Sequence, residues 1–185
     1  MITRDEIVQR QDRARAAAEA AGYDCLLVIG RSFYDRPGDL AYLTNHFPPF
    51  PATVFTGESR GLGHGIFLLP VQGEPTLITD PRRHRTDLVP VDDVRVTTDL
   101  MRAAIDVLRE KGLADGSIGV IGDDVLPAPM DRQLRSELAG AKITADGALV
   151  ANLRLIKSEA ELEAMRRAAA VADKALQAAI ASVRR

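Results

Sequence analysis

The chain has 185 residues, 46% of them hydrophobic, and its 24 basic and 26 acidic side chains leave a net charge of −2. That length and apolar fraction suit one well-cored domain, or a domain with an extension, and exclude a disordered chain. The balanced charge, without a basic stripe, excludes an electrostatic nucleic-acid binder, and no apolar run approaches membrane-spanning length.

Thr3 to Ala21 reads as a helix, with Thr3 as N-cap, Glu6 at the capping-box position and Gly22 as the stop. This charged start does not read as a signal peptide, so a cytoplasmic protein is expected. Asp24 leads into a buried strand, Cys25–Ile29. Cys25 is the sole cysteine, so no internal disulfide forms, and in the run CLLVIG it reads as a small buried hydrophobe. A loop from Gly30 to Gly38 precedes a short helix, Asp39–Thr44. The prolines of NHFPPFP then forbid regular structure, and GESRGLGHG at 57–65 reads as a second irregular loop.

Ile66–Leu69 and Thr76–Thr79 form a hairpin across Gln72-Gly73-Glu74. The basic run Arg82, Arg83, His84 and Arg85 reads as a solvated loop. Val94–Thr97 is a strand, and Thr98 caps a helix that carries Met101, Ile105 and Leu108 on one face and ends at Gly112. Ile118–Ile121 is a strand, Pro127–Leu138 a helix and Ala141–Thr144 a strand. Such alternation predicts an α/β fold with helical crossovers, and the hairpin makes the sheet mixed.

The chain ends in a long amphipathic helix. Ser158 is its N-cap, with Glu161 completing a capping box. Leu162, Met165, Ala169, Ala172, Leu176, Ala179 and Val183 recur at three- and four-residue spacing, giving one apolar stripe. The stripe is expected to be an oligomer or domain interface, because an apolar helix face must be buried against something.

Catalytic patterns are missing. His46, His64 and His84 fall in predicted loops, and none belongs to a helical metal pair. GLGHG at 61–65 precedes a strand, so it lacks the helix N-terminus of a phosphate cradle. Ser32, Ser59, Ser117 and Ser136 sit in no nucleophile elbow. The doublets Asp92-Asp93 and Asp123-Asp124 read as turn residues.

Three segments carry a resemblance. GYDCLLVIG at 22–30, GDLAYLTNHFP at 38–48 and LRLIKSEAELEAMRRAAAVADKAL at 153–176 stand in one order. Together they resemble the N-terminal domain of the creatinase/prolidase/aminopeptidase P family, the pita-bread metallopeptidases. The resemblance implies a mixed sheet with helices on both faces, ribonuclease H-like, plus a long C-terminal helix. Residues 1–152 would be the N-terminal domain, and 153–185 a linker and the first helix of a catalytic domain. The family's catalytic domain holds two divalent metals (Mn, Co or Zn) through two aspartates, one histidine and two glutamates, which polarise the scissile carbonyl and activate water. Its creatinase branch works through a histidine without metal. Those groups belong to the later domain, so this chain by itself is expected to hold no cofactor and to be inactive. Asp24, Asp35, His46, Glu58 and Glu74 mimic the ligand order, but they crowd into loops and are rejected as a metal set.

By the same resemblance the domain helps build a homo-oligomer, a dimer, and shapes substrate access in a neighbouring subunit. The candidate contact residues are Phe33, Tyr34, Arg36, Asn45, His46 and Phe47. Arg36 would pair with a carboxylate, and Phe33, Tyr34 and Phe47 would form an apolar wall. The parent's substrate would be a proline-containing peptide or a small C–N compound. The alternative is a free-standing small-ligand-binding or regulatory α/β domain.

Overall fold

In the computed structural model, which describes residues 2–32, 36–49, 63–81 and 85–183, the centre of the molecule is the strand Cys25–Arg31 (β1). It pairs antiparallel with His64–Pro70 (β2) and parallel with Ser117–Ile121 (β5). Thr76–Thr79 (β3), Asp93–Val96 (β4) and Lys142–Ala145 (β6) complete one sheet of order β4-β3-β2-β1-β5-β6. Only β2 runs against the others. Strands buried on both faces need continuous apolar sequence rather than alternation, and CLLVI and IFLL supply it.

Both faces are covered. Cys25, Leu27, Ile29, Ile66, Leu68, Ile78, Ile118 and Val120 pack on Leu100–Glu110 (α3) and Ala128–Glu137 (α4) through Met101, Ile105, Leu108, Met130 and Leu134. Leu26, Val28, Phe67, Leu69 and Leu77 pack on Arg4–Ala20 (α1), Gly38–Thr44 (α2) and Gly147–Leu155 (α5). From α1 the small residues Ala14 and Ala18 enter that layer, so the helix lies close to the sheet. Gly30 and Gly65 face each other across β1 and β2. A Cβ on either would lie 2.7 or 2.9 Å from Leu40 side-chain atoms, so this glycine pair lets α2 seat directly on the sheet.

Most expected elements are present, with local differences. β1 runs on to Arg31, and β2 begins at His64, inside the stretch expected to be loop. Asp99, not Thr98, caps α3: its carboxylate accepts from Arg102 N at 3.2 Å. Thr97 Oγ1 instead accepts from Asp99 N. Helix α5 was not expected, and the division placed after residue 152 falls inside it. Residues 156–158, between α5 and α6, are non-helical.

The last helix, Glu159–Ser182 (α6), has 24 residues and both halves of the Ser158–Glu161 capping box. At 1.5 Å per residue it is about 36 Å long. None of its residues is buried. Of the expected stripe, Leu162 is half-buried near the hinge, and Met165, Ala169, Ala172, Leu176, Ala179 and Val183 are exposed. Val171 and Ile180 widen the exposed apolar surface. Arg184 and Arg185 lie outside the described residues.

Candidate functional site

Structural features that bear on function lie at three places: a crevice at one end of the sheet, the lip beside it, and the hinge before α6.

The crevice opens outside the carboxyl ends of β1 and β5. From β1 the chain turns to α2 on one face, and from β5 it turns to α4 on the other. The two exits diverge and leave a cavity of about 260 Å3. Gly122, just after β5, has φ +83°, and a Cβ there would stand 2.4 Å from the Ile29 carbonyl oxygen. Only glycine permits both that backbone conformation and that approach. Arg36, from the loop after β1, reaches Asp124 with its Nη1 2.5 Å from Oδ2. On the other wall Arg154 of α5 donates to Asp39 of α2 at 2.6 Å. That guanidinium fills the space a side chain on Gly38 would take, 2.9 Å from the ideal Cβ position.

The lip follows α2. Asn45 closes the helix in the left-handed region with φ 56°, and its amide donates to the Leu88 carbonyl at 3.4 Å. His46 is buried, with Nε2 3.2 Å from Thr79 Oγ1 and its backbone N–H on Thr44 Oγ1. Phe47 is 52% exposed, the one large hydrophobe among the described residues of this lip that faces water. The six expected contact residues therefore divide. Arg36 stands at the start of α2 in the crevice, and Asn45, His46 and Phe47 follow its end. His46 lies beneath the lip, beside Thr79 of β3. Phe33 and Tyr34 lie outside the described residues, as do Arg82, Arg83 and His84.

At the hinge, Arg10 of α1 is 4% exposed and stacks 4.4 Å from the Tyr42 ring centre. It donates to the Tyr42 carbonyl and pairs with Glu6 and with Glu161 of α6. Ser158 donates its hydroxyl to Glu6 at 2.7 Å while accepting from Glu161 N. Burial pushes the Glu6 carboxyl up, but hydrogen bonds from Ser158 and Arg10 and the charges of Arg10 and Arg13 outweigh it and leave it below its ordinary value. Tyr23, by contrast, is raised, first by burial and then by Asp146, to which its hydroxyl donates.

The rejected metal set is scattered where it is described. Asp24 precedes β1 and accepts from Ser117 N, Glu74 lies in the β2–β3 turn, and His46 sits by the far end of β1. Seven residues of strand, roughly 20 Å, separate the two ends. Asp35 and Glu58 lie outside the described residues. Among the described residues no group of three or more His, Cys, Asp or Glu is placed to hold a metal, and no helix is long and apolar enough to cross a membrane.

From the sequence Asp124 reads as a turn residue and Glu6 only as a capping-box residue, and Asp39, Arg154 and Arg10 carry no local signal of these contacts. Arg154 and Asp39 are 115 positions apart, and no local pattern joins them.

A sequence model of the creatinase/prolidase N-terminal domain matches residues 10–156. An Xaa-Pro dipeptidase from Bacillus anthracis superposes with TM-score 0.69 at 20% identity, over 96% of this chain and 44% of its own. The dipeptidase PepE from Mycobacterium ulcerans is 27% identical, TM-score 0.60, over 92% of this chain and 42% of its own. The N-terminal domain of the cytoplasmic peptidase PepQ from Mycobacterium tuberculosis H37Rv gives TM-score 0.55 at 18% identity, over 78% of this chain and 98% of its own. No curated protein sequence matches. The chain thus spans under half the length of the dipeptidases it resembles.

Proposed function

The chain belongs to the creatinase/prolidase N-terminal domain family, and from that premise we propose that it serves as the non-catalytic, assembling part of an Xaa-Pro peptidase or creatinase-like hydrolase. The observation that supports this is α6. It follows the matched region 10–156, and none of its residues is buried by the domain it is attached to. Matches to the long dipeptidases take in nearly the whole chain, whereas the match to an isolated N-terminal domain takes in 78% of it. A helix with Met165, Val171, Leu176 and Ile180 all exposed is built to be covered by further polypeptide, from the same protein or another copy.

In this reading the hydrolytic groups, with any pair of divalent metals (Mn, Co or Zn), belong outside residues 10–156. The lip carrying Asn45 and Phe47 is the surface offered to a neighbouring subunit. Phe47 provides apolar contact there, and His46 braces it from below. A proline-containing peptide, or a small C–N compound, is the class of substrate whose access it narrows.

Two measurements on the 185-residue chain test this. With Mn²⁺ and Xaa-Pro dipeptides no turnover is expected, and turnover would remove the accessory reading. Sedimentation should show self-association that Leu176→Glu reduces. A wild-type monomer, or an unchanged mass in the variant, would refute the role given to the stripe.

A further inference from the structure

We propose that the crevice between β1 and β5 is a binding site for a small zwitterion, of the size and charge pattern of a free α-amino acid. This goes beyond the accessory role, since the site belongs to the domain alone and requires no catalytic partner.

Position is the first argument. In open α/β sheets, ligands collect outside the carboxyl ends of strands where successive connections leave toward opposite faces. β1 and β5 are adjacent and parallel, and their exits take opposite faces. Here the crevice floor is backbone: the Gly122 turn lies against the Ile29 carbonyl at a distance no side chain would allow.

Size is the second. A cavity of about 260 Å3 equals the liquid volume of about nine waters at ~30 Å3 each. It has room for a molecule of amino-acid size. Ile29 and Val125 give it an apolar patch that a short aliphatic side chain could touch.

Charge selects the class. Among the described residues two guanidiniums and two carboxylates line the cavity, and their formal charges cancel. A simple anion would meet Asp124 and Asp39, and a simple cation would meet Arg36 and Arg154. A molecule carrying both charges can answer each. The Arg36–Asp124 pair is the one that can open: its side chains are 66% and 50% exposed. Such exposed pairs are weak and solvent-screened. Inserting a zwitterion replaces one exposed ion pair with two charge-assisted contacts, carboxylate to Arg36 and ammonium to Asp124. Arg154 and Asp39, held more deeply, remain the fixed wall.

The test is an NMR titration of the 185-residue chain with glycine, L-alanine and L-valine, with sodium acetate and methylammonium chloride as single-charge controls. Saturable shifts are expected at the Gly38, Gly122 and Asp124 amides, in the millimolar range or tighter. Arg36→Gln and Asp124→Asn should each weaken binding roughly tenfold or more, the loss of one charge-assisted hydrogen bond. Both side chains are exposed, so circular dichroism and melting should stay those of the parent. Absence of saturation with all three amino acids would overturn the proposal. Equal binding of acetate, or undiminished affinity in both variants, would overturn it too. Neither result bears on whether the chain assembles a hydrolase.

Discussion

Replacing Arg10 with leucine should separate α6 from the domain and lower global stability together. The buried guanidinium joins three helices: it accompanies Glu6 on α1, caps the Tyr42 carbonyl on α2 and meets Glu161 on α6. The charge-assisted bond to Glu6 carries about 1.5–3 kcal/mol, and stacking on Tyr42 about 0.5–2 kcal/mol. Removal leaves two carboxylates facing each other without their cation, a loss of about 3–5 kcal/mol for a buried pair. Against this stands Arg10 Nε, which is buried without a hydrogen-bond partner among the described residues. Deleting it recovers about 1–3 kcal/mol of desolvation. The Glu6 bond is already contained in the cost of stranding the carboxylates, so stranding and lost stacking, less the recovered desolvation, leave a net loss of about 3 kcal/mol, a fall in Tm of roughly 6–12 °C for a chain of this size. Urea unfolding by circular dichroism measures it, and hydrogen exchange at Ser158–Leu162 should rise in step. In a double-mutant cycle with Glu6→Gln, Arg10→Leu should show coupling above about 1 kcal/mol. A loss below about 1 kcal/mol, with coupling near zero, would mean that the hinge is held by the capping box and apolar contact instead.

Glu6 also fixes a pH dependence. Its folded value is depressed, so its stabilisation is complete above the ordinary glutamate value of about 4.3 and is lost as pH falls through the lower folded value. The stability gap between the parent and Glu6→Gln should therefore close on acidification, and a constant gap would refute it. Cys25 is fully buried and burial pushes its thiol up to about 12, so a thiol reagent should label it only at the rate of unfolding. Labelling of the native chain faster than that would show access to the β1 layer.

Sequence carried most of the fold because its signals are local. Buried strands are continuous apolar runs, and helices α1 and α6 announce themselves through Thr3 and Ser158, whose hydroxyls do accept the expected backbone N–H groups. Misreadings came where one residue type serves two ends. The glycines of GLGHG suggested a loop, yet Gly65 is in β2 because Leu40 and His46 crowd it. Thr98 and Asp99 are both good caps, and only geometry picks Asp99. Helix α5 went unread: Asp146 opens it by accepting from Leu149 N, and Val150 alone of its residues is fully buried.

The crevice was illegible for a different reason. Its charges come from four segments, and its two ion pairs join positions 88 and 115 residues apart. No motif can encode such pairs, because what unites them is the strand order. Arg36 was visible as a loop cation with a possible anionic partner, and that much the chain displays. That its partner is Asp124 requires β5 to lie beside β1, an adjacency set by the crossover through α3 rather than by either residue. Helix α6 presents the opposite case: its stripe is legible, and its destination lies in whatever polypeptide covers it. A motif search would therefore favour the helix and pass over the crevice. Yet the crevice's floor at Gly122 and both of its ion pairs come from described residues of the domain. The helix, by contrast, gains a function only through contact. The proposed ligand site and the proposed assembly surface therefore lie apart, and exposed substitutions at Arg36 or Leu176 test each without touching the other.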